Sequence, residues 1–118
     1  MCYKNISLAK TWPEAREYCQ KEFTNGDLAA ISNWKIKQFL ENVLTKSAIQ
    51  NGLWIGGNKV DGQWQWSNGD VWDFENWRSG QPNPDASKEE NFLRMNQNQN
   101  WDDYWSNTNS YFLCEWKM

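Results

Sequence analysis

The sequence predicts an α+β fold in which two helices are followed by short, mainly antiparallel strands. Up to Leu44 the apolar residues recur at helical spacing, and from Leu53 onward they come in short runs, some alternating with period two. The chain also holds 10 Trp, 4 Tyr and 5 Phe, rings enough to fill a core without long aliphatic runs. Its 118 residues suit one domain spanning 1–118.

Residues 2–7 read as a short edge strand. Thr11 is an N-cap with Glu14 in capping-box position, and Pro13 sits in the first turn, where its missing N–H costs little. Trp12, Ala15, Cys19 and Phe23 then share a helical face, and Asn25-Gly26 stops the helix. Leu28–Ile31 is an apolar link. Ser32 or Asn33 caps a second helix, in which Ile36, Phe39, Leu40, Val43 and Leu44 mark the inward face. Leu53–Gly57 and Gln63–Trp66 read as strands. Residues 67–90 carry two of the chain's three Pro, Asn-Gly and many polar groups without periodicity. A stretch of that length is an ordered functional loop if something pins it, and Trp72, Phe74 and Trp77 are the anchors to expect. Phe92–Met95, Trp101–Asp103 and Tyr111–Trp116 complete the strands, with 96–100 as a hairpin turn.

Composition excludes several functions. Net charge is −3 with no basic cluster, which argues against nucleic acid. No apolar run approaches the ~20 residues that insert across a bilayer. The chain has no His, the usual general base and zinc ligand. Its cysteines are Cys2, Cys19 and Cys114, an odd number that leaves at least one thiol without an internal partner. Joining Cys19 to Cys114 would close a loop of about 95 residues, worth at most roughly 4–5 kcal/mol in the chain-entropy treatment. Spacing alone leaves buried free thiols equally open.

The chemistry concentrates in Asn76-Trp77-Arg78-Ser79-Gly80-Gln81-Pro82-Asn83, then Glu90-Asn91, then Trp101-Asp102-Asp103. Carboxylates and amide carbonyls are hard oxygen ligands of the kind Ca²⁺ takes. A cis bond at Pro82 would aim Gln81 and Asn83 to one side.

With Thr11-Trp12-Pro13-Glu14-Ala15 leading to Cys19, Gly26–Ile31, Trp54-Ile55-Gly56-Gly57, Trp64–Gly69 and Phe112-Leu113-Cys114-Glu115 in this order, the chain resembles the C-type lectin-like domain family over nearly its whole length. The resemblance implies two helices, two small mainly antiparallel sheets, a long calcium-binding loop and adjacent termini. It implies a Cys19–Cys114 disulfide. It also implies a secreted or extracellular setting, and homo-oligomers, since avidity raises weak single sites. Two departures stand out. The family's second disulfide is absent, its positions falling at Phe92 and about Ser106, so the loop must rely on aromatic packing and metal. Cys2 resembles half of an N-terminal hairpin disulfide whose partner would lie upstream of Met1, which reads as an excised domain or a thiol available to another chain.

Carried over by motif, the Ca²⁺ ligands are Gln81, Asn83, Glu90, Asp102 and Asp103, with Glu89 competing for Glu90's place. Gln81-Pro82-Asn83 lacks an acid that family motifs carry, and Asp102 restores it where the family has Asn, which looks like charge compensation. The sugar-binding set implied is Gln81, Asn83, Glu90, Asp102 and a stacking Trp105. Trp77 and Trp101 are better read as core packing. The ligand implied is a mannose- or galactose-like diol, with weak or relaxed preference because the amides and acids are unevenly placed around it. Competing readings are a calcium-dependent non-sugar binder of the ice-binding type, a calcium-independent protein-binding domain, and a glycoside hydrolase using paired acids. No feature raises the pKa of one of those carboxyls, so the chain reads as a binding module and not an enzyme.

Overall fold

The computed structural model describes residues 1–82, 91–105 and 107–117. The elements run β1 (Cys2–Lys10), α1 (Trp12–Glu22), β2 (Asp27–Leu28), α2 (Trp34–Val43), β3 (Leu53–Val60), β4 (Gln63–Trp66), β5 (Phe92–Met95), β6 (Trp101–Tyr104) and β7 (Ser110–Trp116). None of the described helices is long and apolar enough to cross a membrane.

Local chemistry sets the helix ends. Glu14 Oε1 accepts from Thr11 N at 3.0 Å and from Thr11 Oγ1 at 2.9 Å, so the expected capping box starts α1. Asn33, not Ser32, caps α2, its Oδ1 accepting from Ile36 N at 3.0 Å. After α1 the chain turns through Asn25 at φ 58°. A Cβ on Gly26 would lie 2.3 Å from the Cys19 carbonyl oxygen, so only glycine lets the chain pass so close to the helix end.

The strands form one connected sheet in the order β1-β7-β3-β5-β6, with β2 on β7 and β4 on β3. The resemblance implied two sheets. They merge because β3 pairs parallel with β7 at Trp54–Phe112 while pairing antiparallel with β4 and β5. The pairing of β1 with β7 sets Cys2 opposite Trp116 and so brings the termini together. β3 and β4 meet at Asp61-Gly62, both at positive φ (50° and 79°), the conformation a two-residue hairpin demands.

Two clusters make the core. One gathers Trp12, Ala15, Cys19, Leu28, Trp54, Phe112 and Cys114, and the Cys19–Cys114 disulfide ties α1 to β7 inside it. Phe92, where the resemblance implied a cysteine position, stacks on Trp12 at 4.7 Å. The other cluster joins Ile31, Leu40, Leu53, Ile55, Leu93, Met95 and Leu113 to Trp66 and Trp101. Helix α2 departs from expectation. Leu40 is fully buried, but Phe39 and Val43 are about half exposed (48% and 50%). The helix thus contacts the body along a narrower line than its apolar stripe allows.

Candidate functional site

The long loop is fixed at its entrance by polar contacts. Arg16 Nε meets Asp27 Oδ1 at 3.1 Å, and its Nη2 donates to the Ser67 carbonyl at 3.2 Å. Ser67 Oγ donates to Asp27 at 3.0 Å. Glu115 accepts from Ala30 N at 2.7 Å and from Asn68 Nδ2 at 3.0 Å. Burial, first of all, raises the Glu115 pKa above its ordinary 4.5, reinforced by nearby Asp70 and Asp27 and opposed by its two hydrogen bonds. A raised folded-state value means that the native state holds a proton the unfolded chain has released. Stability from this group is therefore complete below about pH 4.5 and falls as pH rises through the folded-state value. The melting temperature of Glu115→Gln, taken relative to the parent protein, should climb across that interval; a constant offset would contradict the assignment.

Beyond the entrance the loop is pinned by rings, as its composition suggested. Trp101 is fully buried and lies 5.3 Å from Trp66, 5.6 Å from Trp72, 6.1 Å from Phe74 and 5.9 Å from Trp77, ring to ring. The backbone is held as well. Trp101 N donates to the Asn76 carbonyl at 2.9 Å and Arg78 N donates to the Trp101 carbonyl at 2.9 Å. Trp77 and Trp101 thereby form a parallel bridge at the start of β6, the edge strand. A turn follows, with Gln81 N donating to the Arg78 carbonyl at 2.9 Å and Gly80 at φ 86°. The Gln81–Pro82 bond is cis.

This route brings three of the five proposed ligands together. Asp102 and Asp103, both buried, are neighbours in β6. Gln81 reaches the same strand, and its Nε2 donates to Asp103 Oδ1 in the amide orientation that satisfies both its ends. Its Oε1 then accepts from Arg78 Nη2 at 3.3 Å. Asn83 and Glu90, with the competing Glu89, lie outside the described residues, as does Ser106. Trp105 follows β6 and is exposed (41%), whereas Trp77 and Trp101 pack beside the loop. Among the described residues no group of three or more His, Cys, Asp or Glu side chains is arranged to hold a metal. The Asp102 and Asp103 carboxylates and the Gln81 amide carry hard oxygens, which suit Ca²⁺ in kind.

Motif reading missed Arg78. Its Nε meets Asp102 Oδ1 at 2.5 Å, and Asn96 Nδ2 reaches Asp102 Oδ2 at 3.4 Å. The hydrogen bond to Asp102, followed by the charge attraction, raises the Arg78 pKa above its already high ordinary value. The signal was in view, since Arg78 lies inside the polar run itself, but counting carboxylates alone overlooks a cation. A cleft of about 540 Å³ lies elsewhere; Asp27, Ser67, Asn68, Asp70 and Glu115 help line it, and none of the proposed ligands does.

The Lectin C-type domain family matches residues 8–116, and the chain belongs to that family. It is 31% identical to C-type lectin lectoxin-Phi1 of Philodryas olfersii over 97% of this chain and 76% of that one. It is 35% identical to asialoglycoprotein receptor 1 of Rattus norvegicus over 69% of this chain and 27% of that one. Among solved structures, the cow CD23 carbohydrate-recognition domain, determined in the presence of an oligosaccharide, superposes with a TM-score of 0.80 at 29% identity, covering 96% of this chain and 84% of that one. A calcium-independent type II antifreeze protein superposes with a TM-score of 0.78 at 25% identity, covering 96% and 83%.

Proposed function

We propose that this domain is a calcium-dependent carbohydrate-binding module, without catalysis and working outside the cell. The observation that carries the reading is the meeting of Gln81 from the loop with Asp103, next to Asp102, on the edge strand β6. Gln81, Asn83, Glu90, Asp102 and Asp103 would hold the ion. Bound there, it would supply coordination positions for two neighbouring hydroxyls of a mannose- or galactose-like sugar. The amides would donate to the hydroxyl oxygens and the carboxylates would accept their protons. Exposed Trp105 is the ring available to stack on the sugar's apolar face.

A glycan array read with calcium and with chelator tests this. Retention should require calcium, and Asp103→Ala, which removes a buried carboxylate of the set, should abolish it. Equal retention in chelator would refute the reading. A second reading, a calcium-independent binder of the antifreeze type, is favoured by the Arg78–Asp102 ion pair and by the antifreeze neighbour. It predicts ice-growth inhibition unaffected by chelator.

A further inference from the structure

We propose that Arg78 is an internal cation that competes with the divalent ion for Asp102 Oδ1 and Gln81 Oε1, and so sets how tightly this domain holds calcium. The inference rests on the metal reading above and extends it. One guanidinium touches two of the three proposed ligands within the described residues, Asp102 Oδ1 at 2.5 Å through Nε and Gln81 Oε1 at 3.3 Å through Nη2. Both are hard oxygens that a divalent ion needs with their lone pairs free. The planar fork of arginine presents its donors to two acceptors in one fixed geometry.

The placement of Arg78 is fixed by the backbone, because its N–H is bonded to the Trp101 carbonyl and its own carbonyl accepts from Gln81. The side chain therefore starts beside β6 whether or not an ion is present. Its exposure decides between competition and exclusion. The guanidinium side chain is 53% exposed while Asp102 is 8% exposed. A pair with one partner so accessible to water is weak, so a divalent ion displaces the guanidinium at moderate concentration and is not shut out. The count of three carboxylates is thus offset by one cation, and the site attracts a divalent ion less strongly than its acids alone suggest.

The test is calcium titration by calorimetry of the unaltered chain, Arg78→Gln and Arg78→Lys, with thermal melting to confirm folding. Arg78→Gln should bind calcium about two- to fivefold more tightly, the scale of releasing a partly exposed pair, and Arg78→Lys should fall between. Calcium affinity unchanged or weakened in Arg78→Gln, with the unaltered chain binding normally, overturns the inference and leaves the proposed function standing. No calcium binding by any of the three overturns both. Calcium binding seen only after Arg78→Gln would mean that the guanidinium shuts the ion out, which overturns competition in favour of exclusion. A metal-free double-mutant cycle of Arg78→Gln with Asp102→Asn checks the contact itself; zero coupling also overturns the proposal.

Discussion

Replacing Trp101 by alanine should cost about 3–5 kcal/mol of stability, a large share of what a domain of this size possesses. The ring is fully buried and meets four other aromatic groups, three of which come from the loop between β4 and β5. Removing it leaves a cavity that the stiff neighbouring indoles cannot collapse to fill. Trp101→Phe should cost much less than lost volume suggests. Trp101 Nε1 is buried with no hydrogen-bond partner among the described residues, and losing an unpaired donor recovers a desolvation penalty of about 1–3 kcal/mol. Urea unfolding of both variants checks this. A loss below about 1 kcal/mol for Trp101→Ala would mean that the cage does not anchor the loop.

The second large effect is loss of the Cys19–Cys114 bridge. Its Cα atoms lie 5.5 Å apart across a sequence separation of 95, and both residues are fully buried. Cutting it releases a long loop in the unfolded chain, and the expected loss is about 2–5 kcal/mol. Cys19→Ala/Cys114→Ala should show it, in a Cys2→Ser background so that the remaining thiol, which is half-buried on β1, forms no new link. If the triple variant unfolds at the same urea concentration as Cys2→Ser alone, the core cluster holds α1 against β7 unaided.

Much of the scaffold was legible because its signals are local. The Thr11–Glu14 box, a cap at Ser32 or Asn33 and the alternation of Gln63–Trp66 are decided within a few residues, and the structure has all three, with Asn33 as the cap. The pinned loop was legible for a different reason, since so many rings in one polar stretch have nowhere else to go. The inward face of α2 was not, because its periodicity gives direction but not how much neighbouring mass lies there, and Phe39 and Val43 stay half in water. Nor was the merging of the strands into one sheet, which depends on β3 meeting β7, elements far apart in the chain. At the candidate site the motif named Gln81, Asp102 and Asp103, and Gln81 meets Asp103 on the edge strand β6. It could not reveal that Arg78 crosses 24 residues of sequence to reach Asp102.

The most direct measurement is thermal melting in calcium against chelator, for the unaltered chain and for Asp103→Ala. An ion present at a hundred times its dissociation constant adds about 2.7 kcal/mol to folding, so the midpoint should rise with calcium and saturate in the unaltered chain alone. Superimposable curves with and without calcium in the unaltered chain would contradict the claim that Gln81, Asp102 and Asp103 serve a divalent ion.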